Sequence, residues 1–333
     1  MREKITLQQI AQELNTSKVT VSRALNNRPG ISAELRKKIL ECAERNGYPS
    51  QRAAAAPIKA LAFLVPQRFF LEFDQFYTVI YYHLNHLCQA QETMLTAVVF
   101  SPEEERTGRL PEMLHTSRFD GIFLVGDASE ALIQSVMDYG APLLFIDFSK
   151  PDRTVSHVMA NNYELGYEAA SLLIREGHRR IGFVGDYRNN QNICDRYLGF
   201  RKALILHELE HRPEYDIVNS DARTGLYTLN FEMPQTLPTA FICTCDMAAY
   251  YLYEKLKMMH IRIPEDVSVI SFDNTDICNK MEPPLTSIEI DKQDFAALAY
   301  RQMRKQIASP SAEPRKLLVN SRLVERGSIR TCA

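Results

Sequence analysis

Three carboxylates, one guanidinium and two aromatic rings carry the most legible chemistry in this 333-residue sequence. Asp147, Asp246 and Asp273 each follow a short apolar run of the kind that makes a buried strand. Arg196 opens the helical pattern that runs through Gly199 and Phe200. Carboxylates accept from hydroxyls, and arginine donates a planar fork. With Phe76 and Tyr77 as stacking groups, the set suits a neutral polyol or sugar. Each acid could instead cap a helix or make a turn, as is common where strand passes into helix. That alternative is strongest for Asp246, which also begins a helix, and Arg196 could be a surface ion-pair partner.

A second constellation is His207-Glu208-Leu209-Glu210-His211, a literal H-E-x-x-H. On one helix the two imidazoles would share a face and could bind zinc, with Glu208 as general base. Pro213 follows closely, so the helix is expected to end within the motif, and a polar helix end in solvent is the favoured reading. His83 and His86, three apart among Tyr81, Tyr82 and Leu84, read as ordinary helix surface. No G-x-S-x-G, Walker loop or G-x-G-x-x-G occurs. We therefore expect no enzyme activity, no cofactor and no metal. Cys243 and Cys245 form a C-x-C that reads as small apolar strand residues.

The elements that must position these groups alternate. Apolar runs at Ala60–Pro66, Thr96–Phe100, Gly121–Val125 and Leu143–Asp147 read as strands, with helical patterns over Tyr77–Cys88 and Gly166–Arg175. Arg180–Gly185 reads as the strand that begins a second lobe, followed by strands at Thr239–Cys243 and Val267–Phe272. Apolar strands alternating with helices imply parallel sheets covered on both faces. Ligands of such sheets bind beyond the carboxyl ends of the strands, where the three acids fall.

The amino-terminal segment has a different character. Residues 1–59 hold eleven Lys/Arg against five Asp/Glu, whereas the whole chain holds 39 against 41, so a basic head precedes an acidic body. Such a head suits a polyanion. Thr6 and Gln9 make a capping-box pair, and Leu7, Ile10, Ala11 and Leu14 share one helical face. Asn15 stands where a tight turn tolerates left-handed backbone. Ser17 caps a second helix, Lys18 to Leu25, with Val21, Ala24 and Leu25 inward. Ser32 caps a third, with Leu35, Ile39, Cys42 and Ala43 inward. Two helices joined so tightly form a helix-turn-helix. Its second helix would present Lys18, Val19, Thr20, Ser22 and Arg23 to the major groove, with Arg23 and Arg28 suited to phosphates.

The stretch Ile5-Thr6-Leu7 to Ile10-Ala11, then Ser17 to Thr20-Val21-Ser22-Arg23-Ala24-Leu25-Asn26, resembles the head signature of the LacI/GalR family of bacterial transcription regulators. Ile31-Ser32 and Gly47-Tyr48 extend the likeness. So do Gly177-His178-Arg179-Arg180-Ile181, Pro264-Glu265-Asp266-Val267, Phe272-Asp273-Asn274 and Pro283-Pro284-Leu285-Thr286. The resemblance implies an all-α helix-turn-helix head on an α/β, two-lobed, periplasmic-binding-protein-like body. It adds Thr6, Ser17, Asn26 and Tyr48 to the DNA-binding set, and it places Asp147, Arg196, Asp246 and Asp273 at effector-binding positions. The implied domains are 1–48 for the head, 49–59 for a hinge and 60–330 for the effector-binding and dimerisation body. Family members follow the head with a helix whose leucine wedges into the minor groove. Here that position falls on Ala56 or Pro57 and the link is short, so the wedge leucine is absent. Cys245 stands where asparagine is common.

The expected function is a ligand-responsive repressor of a carbohydrate-utilisation operon, binding a palindromic operator as a homodimer. The alternative is a sugar-binding protein with a weakened DNA-binding head. Seven scattered cysteines, no apolar signal core at the N-terminus and no apolar run of about 18 residues point to the cytoplasm and away from membranes. No leucine heptads follow Gly327, so a coiled-coil tetramer is not expected.

Overall fold

The structure, a computed structural model, describes residues 6–25, 31–45, 58–69, 75–150, 152–188, 190–221 and 225–332. The chain divides into two compact units, Met1–Ile58 and Lys59–Ala333. Asn26, Arg28, Tyr48 and hinge residues 49–57 lie outside the described residues.

In the first unit, helices α1 (Leu7–Glu13), α2 (Lys18–Leu25) and α3 (Ala33–Arg45) close on a small core. Ile10, Ala11, Val21, Ala24, Ile39, Cys42 and Ala43 are buried together, with Leu7, Leu14, Leu25 and Leu35 packed around them. The caps are those the side chains dictate. Thr6 Oγ1 accepts from Gln9 N at 3.3 Å while Gln9 Oε1 accepts from Thr6 N at 2.6 Å. Ser17 Oγ accepts from Thr20 N at 3.0 Å, and Ser32 Oγ from Leu35 N at 3.3 Å. Asn15 sits at φ +49°, which lets α1 turn into α2 within four residues.

The second unit contains two six-stranded sheets. Strands β1 (Ala60–Pro66), β2 (Met94–Phe100), β3 (Gly121–Val125), β4 (Leu143–Ile146) and β5 (Ser156–Met159) enter the first, with helices α4 (Gln75–Gln89), α5 (Pro102–Thr107), α6 (Glu112–Thr116) and α7 (Glu130–Asp138) between them. The chain then crosses into α8 (Asn162–Arg175), β6 (Ile181–Val184), α9 (Gln191–Leu206), β7 (Asp216–Ile217), β8 (Ala240–Cys243), α10 (Asp246–Met258), β9 (Ser268–Phe272) and β10 (Thr286–Ile290). It returns through α11 (Lys292–Ala308) and β11 (Lys316–Leu318), and crosses again to β12 (Ser321–Val324). The sheet orders are β11-β5-β4-β3-β1-β2 and β12-β10-β9-β8-β6-β7. The two lobes therefore repeat one topology, in which β4 of the first corresponds to β9 of the second. Among the named strands all pairings are parallel except β10 with β12.

Helix α11 belongs to the first lobe. Phe295 meets Phe76 of α4 edge-on at 6.1 Å, and Gln302 Nε2 donates to Ser156 Oγ at 3.2 Å. Sequence patterning located the strands β1, β2, β3, β4, β6, β8 and β9. It did not assign β5, β7, β10, β11 or β12, and it began the second lobe one helix late.

The H-E-x-x-H motif does not lie on a helix. Helix α9 ends at Leu206, His207 caps it, and Glu208 turns the chain at φ +54°. His211 Nε2 instead lies 3.1 Å from Asp216 Oδ2 and 3.2 Å from Tyr197 Oη, an internal polar cluster against β7. Among the described residues no group of three or more His, Cys, Asp or Glu is arranged to hold a metal. Cys243 ends β8, and burial pushes its thiol well above the ordinary range. Cys245 is not a strand residue: it caps α10 by accepting from Ala248 N at 3.4 Å.

Candidate functional site

The carboxyl ends of the two sheets face a common cleft. All six residues expected at an effector site line it: Phe76, Tyr77, Asp147, Arg196, Asp246 and Asp273. The cleft encloses about 110 Å³ and is open to solvent on one side. Asp147 directly follows β4 and Asp273 directly follows β9, the equivalent strand ends of the two lobes. Both have left-handed backbones, φ +64° and +98°. That conformation is uncommon for residues with a side chain and worth a functional reading.

Arg196 is 5% exposed and is held from several sides. Its Nε donates to Asn162 Oδ1 at 2.8 Å, one terminal nitrogen donates to the Thr244 carbonyl, and the other lies 3.6 Å from Asp273 Oδ1. The guanidinium also covers the Phe272 ring at 4.6 Å. Two glycines permit this. A Cβ on Gly166 of α8 would lie 2.0 Å from the Arg196 carbonyl oxygen, and one on Gly199 of α9 would lie 2.0 Å from that of Tyr163. Helices α8 and α9 thus touch backbone to backbone, and the contact sets where the guanidinium stands.

Asp246 behaves differently from the other acids. It is 1% exposed, and its oxygens accept from the hydroxyls of Ser271, Ser287 and Thr275 and from Thr275 N at 2.6 Å. Four donors fill both oxygens, so Asp246 braces the wall of the cleft and fixes the turn after β9. Tyr77 Oη donates to Asp147 Oδ2 at 2.8 Å. Its ring leans on Phe69 at 5.3 Å, so it both orients an acid and faces the cleft.

Sequence reasoning missed Asn192, Thr244, Tyr227 and Thr275, which line the cleft together with Cys245. Asn192 stands four residues before Arg196 on α9, on the same helix face, a spacing that could have found it. Its Nδ2 donates to the Asp147 carbonyl at 2.6 Å. Asn192 Oδ1 and Thr244 Oγ1 are buried with no hydrogen-bond partner among the described residues. Both residues line the cleft, and buried polar atoms of this kind call for a partner. Tyr227 Oη reaches Cys245 Sγ at 2.8 Å, so this corner offers a phenol and a thiol in place of a carboxamide.

In the first unit, Thr6, Ser17, Lys18, Val19 and Arg23 are exposed, while Thr20 and Ser22 are half-buried. Val19 is 65% exposed on an eight-residue helix whose opposite face is buried. An exposed methyl-bearing residue beside exposed Lys18 and Arg23 is what reading thymine methyls and phosphates requires.

Residues 6–51 match the family described as bacterial regulatory proteins, lacI family, and residues 152–329 match the periplasmic binding protein-like domain. The chain belongs to the LacI family. Relatives include a probable transcriptional repressor, ExuR, of Bacillus subtilis (strain 168), 27% identical over 98% of each chain. The ribose operon repressor of Haemophilus influenzae is 25% identical over 97% of this chain and 98% of its own. Among solved structures, the regulator CelR in complex with cellobiose covers 98% of this chain and 100% of its own, with 22% identity and a TM-score of 0.69. A LacI-family regulator from Enterococcus faecium with bound ribose covers 83% of this chain and 100% of its own, with 21% identity and a TM-score of 0.70. These structures confirm the fold. As a LacI-family member the chain is a DNA-binding transcription regulator with an effector-binding body. No described helix is long and apolar enough to cross a membrane.

Proposed function

We propose that this LacI-family regulator is a repressor of carbohydrate-utilisation genes that binds a palindromic operator as a homodimer and takes a sugar or sugar derivative in the interlobe cleft. The carrying observation is convergence: Asp147 from one lobe, Arg196 and Asp273 from the other, and the rings of Phe76 and Tyr77 line one cleft. Hydroxyls on a ring suit carboxylate acceptors and a guanidinium fork, and a ring face suits an aromatic wall. Sugar-linked relatives support this chemistry: one is a ribose operon repressor, and two regulator structures hold cellobiose and ribose. Asp246 acts as a brace for these groups and not as a contact.

The head supplies Thr6, Ser17, Lys18, Val19, Thr20, Ser22 and Arg23 to DNA, with Asn26, Arg28 and Tyr48 completing the set. Two heads on a symmetric dimer match the two halves of a palindrome. Effector bridging both lobes favours one interlobe angle. It changes operator affinity only by as much as its affinities for the two states differ. The site of action is the cytoplasm, where the operator is.

Selection of genomic fragments by the purified chain at one stated salt concentration tests this. Enrichment of a palindrome beside carbohydrate genes is the expected result. Enrichment no better than non-specific background, with and without a sugar library, would leave a sugar-binding protein with a weakened head and refute the proposal.

A further inference from the structure

The two strand-end aspartates are held alike. Asp147 and Asp273 occupy equivalent places, after β4 and β9 of two lobes with the same strand order. Both have left-handed backbones. The carbonyl of each is held by a side chain belonging to the opposite lobe. Asn192 Nδ2, from α9 of the second lobe, donates to the Asp147 carbonyl at 2.6 Å. Lys292 Nζ, from the first turn of α11 in the first lobe, donates to the Asp273 carbonyl.

Lys292 is an unusual choice for its position. It is the first residue of a seventeen-residue helix, where the backbone dipole disfavours a cation. Its ammonium is drawn off by the Asp273 carbonyl and by Ile290 O at 3.4 Å, and it lies 5.3 Å from the centre of the Phe76 ring. It therefore joins a first-lobe cleft residue, Phe76, to a second-lobe one, Asp273. A side cavity lined by Lys292, His83 and Glu289 shares Gln75 and Thr275 with the cleft, so this contact lies where the two spaces meet.

We infer that Asn192 and Lys292 are reciprocal positioning residues: each holds the opposite lobe's aspartate in its left-handed conformation, so both carboxylates are presented only at one interlobe angle. The inference rests on the cleft being the effector site. It adds a means by which occupancy and lobe angle are linked, because loosening either contact frees both aspartates.

Hydrogen exchange of the full chain without added ligand tests it. Lys292→Met keeps the side-chain stem and removes the ammonium, and Asn192→Ala removes the other clamp. Losing either interlobe hydrogen bond should speed local exchange roughly tenfold. The expected result is faster exchange over both 145–150 and 273–275 in either variant. Lys292→Arg should restore the parent pattern, and the double variant should resemble the singles. Each variant loosening only its own loop, with the effects summing in the double, would overturn the inference. A simple local strut would give that second outcome. Melting curves with D-ribose and cellobiose are run in parallel: failure of both to bind the parent protein counts against the sugar reading alone, and the exchange result still decides the clamps.

Discussion

Replacing Arg196 with Met should cost stability as well as effector response, because the guanidinium is a strut of the second lobe. The change strands two buried acceptors, Asn162 Oδ1 and the Thr244 carbonyl, in residues that are each 1% exposed. An unsatisfied buried acceptor costs about 1–3 kcal/mol. The Asp273 carboxylate also loses its partner at 3.6 Å, with its side chain only 13% exposed. Together these give about 3–5 kcal/mol, the usual cost of removing one member of a buried ion pair. In a unit of this size each kcal/mol moves the melting midpoint by about 2–4 °C. The midpoint should thus fall by roughly 6–20 °C. Arg196→Lys keeps the charge but cannot reach three partners with one nitrogen, so it should lose about half as much. The assay is thermal unfolding of the ligand-free full chain by circular dichroism. A midpoint for Arg196→Met within about 2 °C of the parent would refute the strut argument, whatever happened to effector binding.

Other outcomes follow from the same geometry. Arg23→Ala should weaken operator binding by about 1–3 kcal/mol while leaving body stability unchanged, as read by fluorescence anisotropy at fixed salt; unaltered affinity would remove α2 from the interface. Gly166→Ala drives a Cβ to 2.0 Å from the Arg196 carbonyl, so it should destabilise by about 1–3 kcal/mol or more and weaken effector binding. Equal effector affinity in that variant, measured by calorimetry, would show that the α8–α9 contact does not set the guanidinium. His178 is fully buried, its ring nitrogens 2.9 Å from Thr239 Oγ1 and 3.1 Å from the Arg330 carbonyl oxygen. Burial holds its imidazole below the ordinary 6.5, so the unfolded chain binds this proton more readily. Its contribution is full above pH 6.5 and is lost as pH falls below that value. His178→Asn should therefore flatten the fall in denaturation free energy below pH 6.5; an unchanged slope would contradict the assignment.

Much of the fold was legible because its strands are apolar and short and its helices are capped by small polar residues. The head was read almost to the residue, since Thr6, Ser17 and Ser32 cap helices within a few residues of themselves. Strands β5 and β10 were hidden by their hydroxyls. Ser156 Oγ accepts from Arg315 N at 3.1 Å and Ser287 Oγ donates to Asp246 Oδ1 at 2.8 Å, satisfied only in the folded chain. Strands β11 and β12 lie at sheet edges and stay largely exposed, so no apolar run marks them. The cleft acids were legible from their places after strands. The role of Asp246 as a brace was not, because its donors come from residues 25 to 41 positions away. The clamping roles of Asn192 and Lys292 were not legible, because each acts on a backbone carbonyl 45 and 19 residues distant; only the place of Asn192 on the Arg196 face of α9 offered a signal.

The most direct measurement of the central claim is a titration of one enriched palindromic fragment with the full chain, with and without a cleft ligand, at a single salt concentration. The account requires operator affinity to shift by about 5- to 150-fold on ligand addition, and the shift to vanish in Arg196→Lys while ligand-free DNA binding persists. Ligand binding in the cleft with no change in operator affinity, or a shift that survives in Arg196→Lys, would contradict it.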